Sequence, residues 1–382
     1  MSVEDLKKVF VFVGEASGDL QGAFLVREIK KIRQDIKFVG AGGHSMRSEG
    51  VDVFLDSTSM GVIGPWNAIP KIPQMLSMFN KAKKKLLEDK PDLTILIDSP
   101  AANMRLGKFA KLNGLRTLYF FPPSAWYSST ERVKNIANAG DYIIPVFEYN
   151  VKTYKKAGLE FNYFGHPLVD IVSEKMSCSS QDLSLDPSKI NIAFLPGSRL
   201  QEIDSLLPVF VKTMKYMTSK RDNLHFLIPA AFPHVEKRIS RYLKKSQGLS
   251  YTICQGGAYN VFKHSKFAVM ASGSATLEAA IAGVPMVVVY KLAWPDWLIG
   301  KMFVKVPFFA LPNLIVQKKI VPEFLQNEVN PKRIANEVFS VLDDSNKRED
   351  ILKNLQDVKN SLGTGGVIKK LAEFVCSLPE LK

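Results

Sequence analysis

Cysteine is scarce in this chain: three in 382 residues, Cys178, Cys254 and Cys376, with no close pair among them. Such scatter excludes a disulfide framework and a paired-cysteine zinc site, and it favours a reducing compartment where each thiol serves as a small buried hydrophobe. Long apolar runs are missing as well. No window approaches the ~18 uninterrupted apolar residues that a spanning helix needs. The run 9–13 behind Met-Ser-Val-Glu-Asp-Leu-Lys-Lys is too short for a signal-peptide core, so a cytoplasmic location is expected. A Walker lysine motif is absent, which argues against nucleotide hydrolysis. Paired histidines and Asp-x-Asp clusters are absent too; neither a metal nor any other cofactor is expected.

What the chain has in excess is positive charge. Lysine and arginine number 51 against 37 acids, a formal charge of +14. Three kinds of anionic partner suit that excess: a nucleic acid, a phosphorylated substrate or an anionic membrane face. Much of it lies in runs such as Lys81–Lys85 and Lys30–Arg33, which read as helix surface. Charge alone does not choose among the partners. No nucleic-acid module is recognisable, and the aromatics are not interleaved with the basic patches, so a nucleic-acid partner is the remote alternative.

At 382 residues, with 46% hydrophobic and 23% charged, the chain fits two globular domains better than one core. Short β-rich runs at 9–13, 36–39, 93–97, 117–121, 142–145 and 161–164 alternate with helical stretches at 20–32, 74–87 and 106–112. Continuous apolar strands separated by helices imply a parallel sheet covered on both faces. A polar stretch, 173–188, reads as a linker. The pattern then restarts with strands at 190–195, 225–229, 251–254, 267–271 and 286–290, and from about Pro331 only helices are expected. The fold class is therefore α/β, with two Rossmann-like, doubly wound domains facing a cleft and C-terminal helices. Residues 1–172 form the first domain, 189–345 the second, and the helices of 346–382 are expected to pack back toward the first. Open α/β sheets bind ligands outside their strand ends, which places the site there.

Three strand-to-helix turns carry candidate chemistry. Gly14-Glu15-Ala16-Ser17-Gly18-Asp19 follows the first strand; its glycines suit close approach to a ligand at a helix start. It fits equally a turn in which Ser17 and Asp19 satisfy helix amides. Leu195-Pro196-Gly197-Ser198-Arg199 opens the second domain. Ser198 with Gln201 matches a capping box, whereas Arg199 offers a planar fork suited to a diphosphate. In Ser272-Gly273-Ser274-Ala275-Thr276-Leu277-Glu278, small residues leave amides open to phosphate, and Glu278 is placed to accept ribose hydroxyls. Asp98 ends the strand 93–97, either as a helix cap before Pro100 or as a general base for an acceptor hydroxyl. His166, in Gly165-His166-Pro167, sits in a loop where a histidine is more often structural.

Taken together these stretches resemble the lipid A disaccharide synthase family over nearly the whole chain. The matching residues are Gly14 to Asp19, Gly165-His166-Pro167-Leu168, Leu195 to Arg199 with Glu202-Ile203, Ala271 to Ala279, and Val304-Lys305-Val306-Pro307 through Leu311-Pro312-Asn313-Leu314. The resemblance implies a GT-B glycosyltransferase joining UDP-2,3-diacylglucosamine to 2,3-diacylglucosamine 1-phosphate with release of UDP. It implies Asp98 as base, and Gly197, Ser198, Arg199, Ser272, Gly273, Ser274, Thr276 and Glu278 around UDP, with Asn313 and Gln326 near the donor sugar. On the acceptor side it implies Gly14, Glu15, Ser17, Gly18, Asp19, Asn103, Ser124, Trp126 and His166. Peripheral attachment to the inner face of the cytoplasmic membrane fits the basic charge and the run Met60-Gly61-Val62-Ile63-Gly64-Pro65-Trp66. This chain departs from the family pattern after Asp98, after Trp126 and at Gly64, all on the acceptor side. A related UDP-sugar transferase with another acceptor, or a sugar-nucleotide epimerase, stays open as an alternative.

Overall fold

A computed structural model describes residues 6–58, 69–123, 130–178, 183–246, 248–292, 297 and 307–382. The chain divides into two units, one made of Met1–Ile171 with Leu362–Lys382 and the other of Val172–Ser361. The first holds strands β1 (Lys8–Val13), β2 (Lys37–Gly42), β3 (Asp52–Asp56), β4 (Leu93–Ile97), β5 (Thr117–Phe120) and β6 (Tyr142–Ile144), in the order β3-β2-β1-β4-β5-β6. The second holds β7 (Ile190–Leu195), β8 (Leu224–Ala230), β9 (Tyr251–Gln255), β10 (Phe267–Ala271), β11 (Met286–Tyr290) and β12 (Glu323–Leu325), ordered β12-β11-β10-β7-β8-β9. Every pairing within them is parallel. The strand order reverses between β1 and β4 in one sheet and between β10 and β7 in the other.

Burial explains the near-continuous apolar strands. β4 is buried at all five positions, as is β10, because helices cover both faces of each sheet. The first core gathers Phe10, Phe12, Leu96, Leu106, Tyr119 and Tyr154 around the helices Ile72–Asp89 and Pro100–Leu112. In the second unit Phe194 meets Phe210 and Phe226 edge-on, at 5.3 and 5.5 Å between ring centres. The first unit is completed by the helix Val367–Ser377, which packs on the helix Ala16–Ile32.

Two sequence expectations are corrected here. The segment 161–164 is not a strand: Phe161 leans on the core and Phe164 meets Phe374 at 5.6 Å, while Asn162 donates to the Ile143 carbonyl. Apolar contacts, not a ladder, account for its composition. The linker expected from residue 173 instead begins as helix, since Leu168–Cys178 is one element anchored by buried Val169, Ile171 and Val172.

Candidate functional site

Each sheet's order reversal opens a crevice at the carboxyl ends of its strands, where this class of sheet places its ligands. In the first unit β1 and β4 run in register to Val13 and Ile97. The residues that follow, Gly14-Glu15 and Asp98-Ser99, therefore emerge side by side. Contact is close enough to demand glycine: a Cβ on Gly14 would run into the Ser99 hydroxyl. Asp98 and Ser99 are both left-handed, φ +52° and +46°, and so is Phe121 after β5 at +64°. Non-glycine residues in that region cost about 1–3 kcal/mol each and persist where surrounding bonds over-determine them.

Asn103 supplies much of that determination. Its buried side-chain amide donates to the carbonyls of Ile97, at 2.9 Å, and Asp98, at 2.7 Å. The Tyr119 hydroxyl adds a third bond, to the Asp98 carbonyl at 3.2 Å. Ser99, not Asp98, occupies the N-cap position of the helix Pro100–Leu112, and its side chain makes no capping bond there. The Asp98 carboxyl is thus held at the strand end with its titration shifted: burial, reinforced by the negative charge of Glu15, pushes its pKa up to about 7, against a smaller opposing effect of the Ser99 amide. A carboxyl that titrates near neutrality is suited to general-base work.

Other first-unit candidates have structural employment. Ser17 and Gly18 lie in the first turn of the helix Ala16–Ile32, where Gly18 packs against Val13. Asp19 is buried, and its carboxylate accepts from the amides of Gly43 (2.7 Å), Ser45 (2.9 Å) and Met46 (3.2 Å). It does satisfy helix amides, but those at the start of the helix His44–Ser48, beyond the next strand in the chain. His166 is 1% exposed; its Nδ1 accepts from the Leu168 amide, its ring packs on Phe121 and Phe147, and burial lowers its pKa to about 3, so it stays neutral. Ser124, Trp126, the run 60–66 and residues 304–306 lie outside the described residues.

In the second unit β7 and β10 pair through Leu195 and Met270, which brings the turn Gly197-Ser198-Arg199 beside Ser272-Gly273. Gly197 has φ +105°, and a Cβ there would collide with Glu202. The expected capping box is not formed. Arg199, not Ser198, stands at the N-cap of the helix Leu200–Thr218 without a side-chain capping bond, and Glu202 reaches back to accept from the Arg199 amide at 3.4 Å and from its guanidinium at 3.0 Å. Glu202, absent from the sequence-derived site, is the carboxylate that orients Arg199. Its own pKa is raised by burial, which outweighs the opposing pull of Arg199.

The Ser272 hydroxyl donates to the Phe309 carbonyl at 2.7 Å, and Thr276 turns inward to the Gly273 carbonyl at 2.7 Å. Ser274 starts the helix Ser274–Ile281, leaving Gly273 exposed before it. Glu278, one turn on, has its carboxyl pushed up by burial, with the Tyr259 hydroxyl acting in the opposite direction. Asn313 is fully buried: it donates to the Val321 carbonyl and to Glu323, and accepts from the amides of Ile320 and Val321. Glu323 in turn accepts from the amides of Phe309 and Ala310, each at 2.9 Å. Asn313 thus braces the segment to which Ser272 is tied. Gln326, at φ +48°, bonds both main-chain groups of Leu292.

Comparison with known proteins matches residues 9–372 to a family model described as Lipid-A-disaccharide synthetase. The chain is 35% identical to the Lipid-A-disaccharide synthase of Geobacter metallireducens, covering 97% of both chains. With that of Trichlorobacter lovleyi it shares 32% over the full length of both. Among solved structures it resembles a putative UDP-N-acetylglucosamine 2-epimerase from Listeria monocytogenes (TM-score 0.69, 12% identity, 97% of this chain and 96% of that one). It also resembles MurG of Acinetobacter baumannii (TM-score 0.55, 14% identity, 97% and 100%). These likenesses identify the fold as α/β of GT-B type.

Proposed function

Because the chain belongs to the lipid-A-disaccharide synthase family, we propose that it transfers a diacylglucosamine from UDP to 2,3-diacylglucosamine 1-phosphate, giving the lipid A disaccharide phosphate and UDP. The observation that carries the chemistry is Asp98: a carboxyl fixed at the crevice end of β4, titrating at about 7. In this reading Asp98 takes the proton from the acceptor's 6-hydroxyl as that oxygen attacks the anomeric carbon. The bond from that carbon to the diphosphate oxygen breaks, the anomeric centre inverts, and UDP leaves with the electron pair. The first unit supplies the base and the second holds the donor. Arg199, oriented by Glu202, and the amides after Gly273 take up the charge of the leaving diphosphate. Glu278 accepts the ribose hydroxyls, and Asn313 serves by bracing the donor loop. The epimerase alternative rests on structures 12–14% identical, a likeness of fold alone.

The acceptor and donor are lipids, and the helix Ile72–Asp89 supports contact with a membrane face. Met78, Ala82 and Leu86 bury one side of it, while Ile69, Ile72 and Leu76 are 56%, 46% and 50% exposed. Spacing of four residues puts the exposed Ile72 and Leu76 together, with Lys81 and Lys84 on the same helix and Lys71 immediately before it. Among the described residues no helix is long and apolar enough to cross a membrane; the attachment proposed is peripheral.

The deciding test incubates the protein with UDP-2,3-diacylglucosamine and 2,3-diacylglucosamine 1-phosphate, and scores UDP release and disaccharide mass together. Asp98→Asn is expected to keep UDP affinity and lose roughly 10²–10⁴-fold in turnover. Near-normal turnover by that variant would remove Asp98 from the base role.

A further inference from the structure

β4 and β5 run in register to Ile97 and Phe120, and the Asp98 amide donates to the Phe120 carbonyl at 3.0 Å. Phe121, the next residue, therefore leaves the sheet beside Asp98, one strand across. Its main chain is tied on both sides: the Phe121 amide donates to the Ile144 carbonyl, and the Tyr154 hydroxyl to the Pro123 carbonyl, each at 3.1 Å. The backbone held there is unfavourable. A φ of +64° is an outlier for a bulky side chain, and the following Pro122 favours extended backbone at this position. Strain of this kind persists only where neighbouring bonds impose it, and it gathers at ligand sites. The ring is fixed too. Phe147 and His166 meet it edge-on at 5.7 and 5.3 Å, and both are buried, whereas Phe121 keeps part of its surface accessible. Nδ1 of the neutral His166 accepts from the Leu168 amide, so the proton sits on Nε2, which is buried with no hydrogen-bond partner among the described residues.

We propose that Phe121 is the platform for the acceptor sugar: a C–H face of the glucosamine ring lies on the Phe121 ring while its 6-hydroxyl meets Asp98. This rests on the assignment of Asp98 as base to a sugar hydroxyl. Adjacent strands lie about 4.8 Å apart, so a sugar whose hydroxyl reaches Asp98 has its body beside Phe121. The face of an aromatic ring is negative, and the C–H side of a pyranose is apolar with a slight positive charge, which favours their contact. An acyl chain has no such face and would be served as well by a leucine. His166 and Phe147 are positioning residues that act through the platform. At 1% exposure His166 reaches no ligand of its own, and its imidazole is given over to the ring it abuts.

The experiment measures acceptor and donor KM separately for the full chain, Phe121→Leu and Phe121→Tyr. Phe121→Leu keeps apolar bulk and loses the aromatic face; its acceptor KM is expected to rise roughly threefold to tenfold while its donor KM stays put. Phe121→Tyr retains the face and is expected to lose less. An acceptor KM unmoved in folded Phe121→Leu would overturn the proposal, and so would equal rises in both KM values, the mark of a structural role. Calorimetry needs no turnover and separates the parts of the acceptor, with glucosamine 1-phosphate and a phosphatidic acid titrated in turn. Phe121→Leu is expected to weaken the sugar phosphate alone; weakening of the phosphatidic acid alone would give the ring to an acyl chain and sink the platform. Should Phe121→Leu not fold, saturation-transfer NMR on the parent decides: magnetisation passing from aromatic protons to the C–H protons of glucosamine 1-phosphate, and lost in Phe121→Tyr when only phenylalanine rings are irradiated, is expected, and its absence counts against Phe121. A parent that makes no disaccharide yet binds the sugar phosphate through Phe121 loses the transferase reading and keeps the platform. One that neither makes disaccharide nor binds the sugar phosphate loses both.

Discussion

At Asn313 an amide side chain serves both as donor and as acceptor, between the carbonyl of Val321, the carboxylate of Glu323 and the amides of Ile320 and Val321. Asn313→Ala removes one hydrogen-bond partner from each of those groups, while Glu323 keeps the Phe309 and Ala310 amides, at about 1–3 kcal/mol for a buried group left unsatisfied. The expected result is that loss of stability in urea unfolding, with UDP affinity falling because Ser272 loses its fixed partner at Phe309. The same reasoning separates residues that a sequence reveals from those it hides. Asp98, Arg199 and Glu278 can be picked out as candidates because each follows a strand at a place where open sheets bind ligands. The long-range cap by Asp19 is not legible, since its partners at Gly43, Ser45 and Met46 come from the far side of the next strand. Nor is the left-handed geometry of Asp98 and Ser99, where a tertiary bond from the Tyr119 hydroxyl holds the Asp98 carbonyl.

Strands buried on both faces announce themselves, as do the edge strands β6 and β9, whereas the other two edge strands do not. β1, β4, β7 and β10 read as apolar runs because helices cover them. β3, with the half-exposed pattern of Asp52–Asp56, and β12, three residues beginning with Glu323, lie at sheet edges and carry too little apolar signal. Glu323 is charged because it clasps the Phe309 and Ala310 amides. A second element-level device is the start of the helix Val367–Ser377, whose Gly366 and Ile368 amides donate to Asp170 at 2.7 and 2.9 Å. Asp170→Ala is expected to cost about 1 kcal/mol, as loss of a helix cap does. Hydrogen exchange would show faster opening confined to residues 366–372, whereas uniform loss of protection would assign Asp170 a wider role.

For the molecule as a whole, the +14 charge and the exposed Ile72 and Leu76 make separate contributions to the proposed membrane contact. Charge attracts the protein to anionic lipid and is screened by salt, whereas apolar insertion is not. Replacing Ile72 and Leu76 by serine is expected to weaken sedimentation with anionic vesicles by roughly tenfold, on about 25 cal/mol for each Å² of apolar surface withheld. Raised salt should weaken binding further in that variant. Unchanged sedimentation would move the contact elsewhere on the protein.

One feature of the chain path governs how the protein comes into being. The first unit is discontinuous, with Leu362–Lys382 joining Met1–Ile171, while the second is one unbroken stretch, Val172–Ser361. A ribosome therefore delivers everything the second unit needs before the helix that covers Ala16–Ile32 exists. The first unit must wait, its apolar helix face open, until translation has passed the whole of the second. Birth order and chain order are reversed: the region made first is finished last, and a chaperone that shields nascent apolar surface has longest to act on the first unit.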